Sequence, residues 1–184
     1  MTRRRWAVVI ASLALTQLAV LILWQRVDQK RRAAGLPVVM ERRSEAGHDV
    51  WIERPDGSEQ LVPRRSDRFQ LVHFWATWCP PCRKELPTLL TLEQRERKRL
   101  RVWIISTDTG WAPVRKFFRG KVPSSVVRDA RQSYRAYGVT SLPDTYLLDP
   151  NGQIVARFAG GQHWDSRKMD EVLDQLVSRA DGLR

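Results

Sequence analysis

The chain has few residues that bind metals or form disulfides: two cysteines, Cys79 and Cys82, and three histidines in 184 residues. A closed zinc site needs four ligands, and the sequence has no second close-spaced ligand pair. A single disulfide across a two-residue gap would add little stability, because the loop-closure contribution grows with loop length. The hydrophobic content of 42% is enough to bury a core without one. We therefore expect neither a zinc site nor a structural disulfide.

Acidic residues are outnumbered by basic ones: 20 Asp and Glu against 32 Lys and Arg give a formal charge of +12. Such an excess can indicate a nucleic-acid partner. However, seven of the basic residues lie in the first 32 positions, and the others are spread over many segments. The sequence therefore predicts a mildly basic, solvated surface and no nucleic-acid partner.

Charge is absent between Arg5 and Arg26. As a helix, residues 6–25 would span roughly 30 Å, the thickness of the hydrocarbon core of a bilayer. The alternative, a cleaved signal peptide, fits less well, because the apolar run is long and small residues do not follow it directly. We predict that residues 1–25 are a tail and single transmembrane helix that anchors the chain in a lipid bilayer. The flanking basic residues are nearly balanced, so they do not decide its orientation.

The remainder reads as a linker followed by one domain. Residues 26–46 are charged and lack a clear period, which is typical of a linker, and residues 47–184 are predicted to fold. Two short strand-like runs flank the turn signal Pro-Asp-Gly-Ser and predict an N-terminal β-hairpin. The continuous apolar run FQLVHFWAT indicates a buried central strand.

Strands and helices alternate after this strand. An amphipathic helix is expected from Pro80, kinked at Pro87, followed by a second buried strand. Two short helices are predicted next, WAPVRKFFRG, preceded by Asp108 as its cap, and DARQSYRAYG. A hairpin and a C-terminal amphipathic helix complete the chain. The pattern predicts an α/β fold with a central mixed sheet flanked by helices.

The two cysteines lie where a helix should begin. Unpaired backbone N–H groups and the positive end of the helix dipole stabilise a thiolate there. In Cys-X-X-Cys sites the pKa of the nucleophilic cysteine falls to about 3.5–7.5 from about 8.5. We therefore predict that Cys79 attacks and that Cys82 is the resolving thiol. Pro80 and Pro81, which lack N–H groups, would tune the thiolate and stiffen the loop.

Two other functions fit a cysteine pair. Cys79, Cys82 and a histidine could deliver Cu(I), or the chain could act as the partner of a copper chaperone. Alternatively, the chain could be a scaffold that kept its fold without catalysis.

The stretches FWATWCPPCRKELP and SLPDTYLLDPNGQI, with the leading hairpin, resemble the membrane-anchored thioredoxin-like proteins of the TlpA/ResA/CcmG (DsbE) family. The resemblance implies a thioredoxin-like fold, a location on the periplasmic side of the bacterial inner membrane, and reduction of protein disulfides without a further cofactor. Substrates would belong to cytochrome c maturation or oxidase assembly, such as apocytochrome c or a copper chaperone. Electrons would come from a membrane protein of the DsbD or CcdA type.

The resemblance also implies roles for single residues. Pro143 would be a cis-proline beside the cysteine pair, and the backbone of Leu142 would bind substrate. Glu85, three positions after Cys82, matches the acidic residue of the family, and Pro87 matches its helix-kinking proline. Four residues are expected to contact the substrate: Trp78, Pro80, Pro81 and Leu142.

One position departs from the family. Six residues before Cys79, where relatives have Asp, Asn or a similar polar residue, this chain has His73. One interpretation is a hydrogen-bonded core histidine. The other is a base or proton relay for Cys82.

Overall fold

The structure is a computed structural model that describes residues 16–26, 38–39 and 46–181. The chain divides into two compact units, Met1–Leu36 and Pro37–Arg184. In the first unit, residues 16–26 form helix α1. The rest of the predicted membrane helix lies outside the described residues. None of the helices within the described ranges is both long enough and apolar enough to cross a bilayer.

A mixed sheet forms the centre of the second unit. In the described part of the chain it has eight strands: β1 (Val38–Val39), β2 (Val50–Glu53), β3 (Glu59–Val62), β4 (Phe69–Trp75), β5 (Leu100–Ser106), β6 (Val126–Asp129), β7 (Asp144–Leu148) and β8 (Ile154–Ala159). Their order is β1-β8-β7-β4-β5-β6-β2-β3. Strand β5 is parallel to β4 and β6, and the other pairings are antiparallel. This arrangement confirms the predicted mixed α/β sheet.

Three helices of the second unit pack on one face of the sheet: α2 (Pro80–Glu96), α3 (Trp111–Phe117) and α4 (Arg167–Asp181). Side chains of α2 and α4, such as Leu89 and Leu173, join Leu71 and Trp75 of β4 in one buried cluster. The opposite face of β4, with Phe74, belongs to a second cluster. Successive residues of a strand point to opposite faces, so a central strand must be apolar throughout. All seven residues of β4 are buried, as predicted.

Both predicted hairpins are present. Strands β2 and β3 pair around Gly57, which has φ +85°. Strands β7 and β8 pair around Gly152, at φ +80°. A Cβ at Gly152 would lie 3.1 Å from the backbone of Arg64, so both the conformation and the close approach require glycine there.

Two segments differ from the sequence prediction. Val38–Val39 lies in the predicted linker but pairs with β8, so the folded unit begins near Pro37. The predicted helix DARQSYRAYG is wrong: its first residue ends strand β6, and only a 3-10 turn, Ser133–Arg135, follows. Gln132 adopts a left-handed conformation, and Asp129 accepts hydrogen bonds from backbone N–H groups of the turn. Both features favour a tight turn over a longer helix.

Candidate active site

The cysteine pair lies at the N-terminus of α2, directly after β4. Cys79 is the N-cap residue, and a disulfide joins it to Cys82. Pro80 and Pro81 occupy the first two helical positions and have no N–H to donate. The backbone N–H of Cys82 donates to Cys79 Sγ over 3.3 Å. Opening the disulfide would leave this donor, with the helix dipole, to stabilise a Cys79 thiolate.

The two sulfurs are unequally covered. Cys82 is fully buried, whereas Cys79 retains 3% exposure. Pro80 and Pro81 are exposed, and so is Trp78, at 69%. This order of exposure is the one expected if Cys79 attacks the substrate and Cys82 resolves the mixed disulfide.

A groove of about 410 Å³ lies beside the active-site loop. Trp78 and Leu142, two of the predicted substrate contacts, both line it, together with Tyr134 and Val139. The Leu142–Pro143 peptide bond is cis, as the resemblance implied. The structure thus brings Trp78 and Leu142 to one surface, while Pro80 and Pro81 lie at the start of α2, outside the lining of this groove.

Asp108 connects two loops and does not cap α3, contrary to the sequence prediction. The N-cap of α3 is Gly110, which has no side-chain cap bond. The Asp108 carboxylate instead accepts hydrogen bonds from the Thr77 backbone N–H at 2.9 Å and from the Thr77 hydroxyl at 2.7 Å. It also accepts one from the Ser106 hydroxyl. Asp108 therefore holds the loop that carries Trp78.

Glu85 is buried on the same helix, three residues after Cys82. Its Oε2 atom accepts hydrogen bonds from the Gln162 backbone N–H at 2.7 Å and from Trp164 Nε1 at 3.1 Å. Burial raises the pKa of its carboxyl from 4.5 to about 7. A proton acceptor with a pKa near neutrality suits exchange with a thiol, and residues three apart on a helix are neighbours.

His73 lies in β4 and is fully buried. Its Nδ1 atom is 2.8 Å from Thr145 Oγ1, and its Nε2 atom is 3.7 Å from Glu85 Oε1. Burial lowers the pKa of the imidazole to about 3, so it is neutral at physiological pH. The contact with Glu85 is therefore polar and not a salt bridge, and at 3.7 Å it is too long for a hydrogen bond.

Comparison with known proteins places this fold. A family model described as a thioredoxin-like domain matches residues 58–176, more than half of the chain. The chain belongs to the thioredoxin-like family. Relatives of this thioredoxin-like chain include proteins named DsbE and ResA, which confirms the predicted resemblance.

Two relatives and one structure illustrate the extent of the likeness. A thiol:disulfide interchange protein DsbE homolog of Paracoccus denitrificans is 35% identical over 109 residues, covering 56% of this chain but only 59% of that protein. The thioredoxin-like protein YneN of Bacillus subtilis is 32% identical over 130 residues, 68% of this chain and 75% of the relative. The thioredoxin domain of a thiol-disulfide oxidoreductase from Bacteroides vulgatus superposes with a TM-score of 0.61 at 22% identity, over 75% of this chain and 99% of that domain. At this identity the superposition shows the fold alone.

Several residues of the thioredoxin-like site escaped the sequence prediction. Gln162 and Trp164 bind Glu85 from a segment almost 80 residues further along the chain. Thr145 contacts His73 because β7 pairs with β4 in a register that sets the two residues opposite each other. The position of Thr145 two residues after Pro143 was the one available signal. Such contacts depend on register, and β4 and β7 are buried at every position, so their sequences lack the alternation that would specify it.

Proposed function

We propose that this thioredoxin-like chain is a membrane-anchored thiol-disulfide oxidoreductase that reduces protein disulfides on the periplasmic side of a bacterial inner membrane. The observation that carries the proposal is the Cys79–Cys82 disulfide at the N-terminus of α2, directly after the exposed Trp78, with Cys82 fully buried and Cys79 at 3% exposure. The groove lined by Trp78 and Leu142 offers a surface for a polypeptide.

The reaction begins from the reduced pair. The Cys79 thiolate attacks one sulfur of a substrate disulfide, and the other substrate sulfur leaves as a thiolate that takes a proton from solvent. Cys82 then loses its proton to Glu85 and attacks Cys79 Sγ in the mixed disulfide. The second substrate sulfur leaves as a thiolate and is protonated. The substrate has gained two electrons, and the chain has returned to the disulfide seen in the structure.

The partners follow from the same proposal. A membrane electron donor of the DsbD or CcdA type would reduce the pair again, and the substrate would be a protein such as apocytochrome c or a copper chaperone. The uncharged run at residues 6–25 supports a bilayer anchor. The printed names of the relatives, thiol:disulfide interchange protein and thiol-disulfide oxidoreductase, support disulfide exchange.

Trapping of the mixed disulfide tests the function. Full-length Cys82→Ser cannot resolve the intermediate, so we expect a covalent complex with a partner protein that reducing agent releases. Cys79→Ser is the matched control and should give no such complex. Purified wild-type chain should also reduce insulin. Stoichiometric Cu(I) binding without insulin reduction would instead favour copper delivery, and indifference of cells to the loss of both thiols would favour a scaffold.

A further inference from the structure

Two buried polar atoms beneath α2 face each other without a hydrogen bond. His73 Nε2 and Glu85 Oε1 are inaccessible to solvent and have no hydrogen-bond partner among the described residues. They are 3.7 Å apart. Buried polar groups are normally satisfied, so such a pair needs an explanation. A proton that arrives between them would satisfy both.

The hydrogen bonds around the pair decide where that proton would lie. Glu85 Oε2 already accepts two N–H groups, so a proton on the carboxyl belongs on Oε1, the oxygen that faces His73. On the imidazole, an Nδ1–H can donate to Thr145 Oγ1, which leaves the lone pair of Nε2 free to accept. When Glu85 is protonated, its carboxyl can therefore donate a hydrogen bond from Oε1, and His73 Nε2 can accept it.

We infer that His73 is a positioning residue that acts through Glu85, accepting a hydrogen bond from the Glu85 carboxyl once it has taken the proton of Cys82. This inference rests on the proposed function. The step is Cys82–SH plus Glu85 carboxylate giving Cys82 thiolate plus Glu85 carboxylic acid, whose O–H points at His73 Nε2. Formation of this hydrogen bond requires the present 3.7 Å separation to shorten to about 3 Å. The thiolate then attacks Cys79 Sγ, and the proton later leaves to solvent.

The direction of the effect on Glu85 follows from the charge of His73. A neutral acceptor binds only the protonated carboxyl, so it raises the pKa of Glu85. A cationic imidazole would bind the carboxylate and lower that pKa. Among the described residues, His73 from β4 is the titrating group that faces Glu85. Cys82 lies three positions earlier on α2. Gln162 and Trp164, from the segment after β8, do not titrate. His73 can therefore be tested without interference from another acid.

Two substitutions of His73 separate its two nitrogens. Asn places its amide where Nδ1 lies, so His73→Asn keeps a partner for Thr145 but removes the acceptor for Glu85. Gln reaches the position of Nε2, so His73→Gln should restore that acceptor. The rate of mixed-disulfide release, measured against pH on the full chain in detergent, reports the base that takes the Cys82 proton.

In His73→Asn we expect the midpoint of this pH–rate profile to move roughly one pH unit lower. The release rate at the plateau should fall roughly threefold or more. His73→Gln should return both toward wild type. In a Glu85→Gln background, His73→Asn should have no further effect, because His73 acts through Glu85. A midpoint that does not move, or that moves to higher pH, overturns the inference.

A measurement on the wild-type chain covers the case in which His73→Asn does not fold. Nitrogen NMR of ¹⁵N-histidine protein should show His73 Nε2 without a proton throughout the neutral pH range. An Nε2–H signal would overturn the inference, since that tautomer cannot accept. This result does not depend on reductase activity, so failure of the inference and failure of the proposed function, which Cys82→Ser trapping reports, remain distinguishable.

Discussion

Replacement of Glu85 by Gln should raise the stability of the fold at neutral pH. The buried carboxyl has a pKa of about 7, well above its ordinary 4.5. Gln keeps the shape of the side chain and an oxygen that can accept the N–H groups of Gln162 and Trp164. Its amide nitrogen can face His73 and donate to it, as a protonated carboxyl would. The variant therefore mimics the protonated state at every pH.

The magnitude follows from the difference between the folded and unfolded pKa values. Between pH 4.5 and about 7 the unfolded carboxyl is ionised while the folded one keeps its proton, so wild-type stability falls as pH rises. The fall is complete above the folded pKa and absent below the unfolded one. A pKa difference of about 2.5 corresponds to a decrease of ~3 kcal/mol in the free energy of unfolding between the low-pH and high-pH limits. We expect equal stability near pH 4 and a variant more stable by up to that amount at pH 8.

Urea unfolding of the oxidised full chain, followed by tryptophan fluorescence at several pH values, measures this difference. Groups that titrate in both proteins cancel in the comparison, and the closed disulfide prevents thiol titration. Glu171→Gln, on the exposed side of α4, is the matched control and should change stability by less than about 0.5 kcal/mol at every pH. A difference between wild type and Glu85→Gln that is flat with pH, or a less stable variant at pH 8, would refute the reasoning. Glu85→Gln should also lose the pH dependence of disulfide reduction that Glu85 supplies.

Three further predictions concern other residues of the site. In single-cysteine variants, the alkylation rate of Cys79 measured against pH should give a thiol pKa well below about 8.5. Faster alkylation of Cys82 than of Cys79 would reverse the assigned roles. Asp108→Ala should lower the free energy of unfolding in urea by about 1–3 kcal/mol, because it removes the acceptor of the part-buried Thr77 N–H and hydroxyl and of the buried Ser106 hydroxyl. Asp108→Asn, which keeps an acceptor, should cost less, and equal costs would argue against the loop-holding role. Trp78→Ala should leave unfolding nearly unchanged, since the side chain is exposed, yet raise KM for a protein disulfide severalfold; an unchanged KM would remove Trp78 from the substrate surface.

The sequence alone determined those elements whose signals are local: the central strand, the start of α2 and the two hairpins. The apolar run of β4 predicts a strand buried on both faces, and the structure buries all seven of its residues. The two prolines after Cys79 predict the start of a helix, and α2 begins at Pro80. The turn residues around Gly57 and Gly152 predict the two hairpins. In each case the signal lies within a few residues of the structure it specifies.

Tertiary structure decided the features that need partners distant in the chain. Strand β1 has two residues, and β6 contributes two valines before charged residues, so neither has a periodicity to read. Asp108 was predicted to cap α3, but the approach of the β4–α2 loop directs its carboxylate to Thr77 instead.

The environment of His73 shows the same limit at the site itself. The sequence identified His73 and Glu85 as separate candidates, and the packing of α2 on β4 set their facing atoms 3.7 Å apart. The pairing of β7 with β4 added Thr145, and the segment after β8 supplied the two donors that leave one carboxyl oxygen for the proton. Residue type was therefore readable from the sequence, whereas burial and register, which set the pKa values and the direction of each hydrogen bond, came only from the fold.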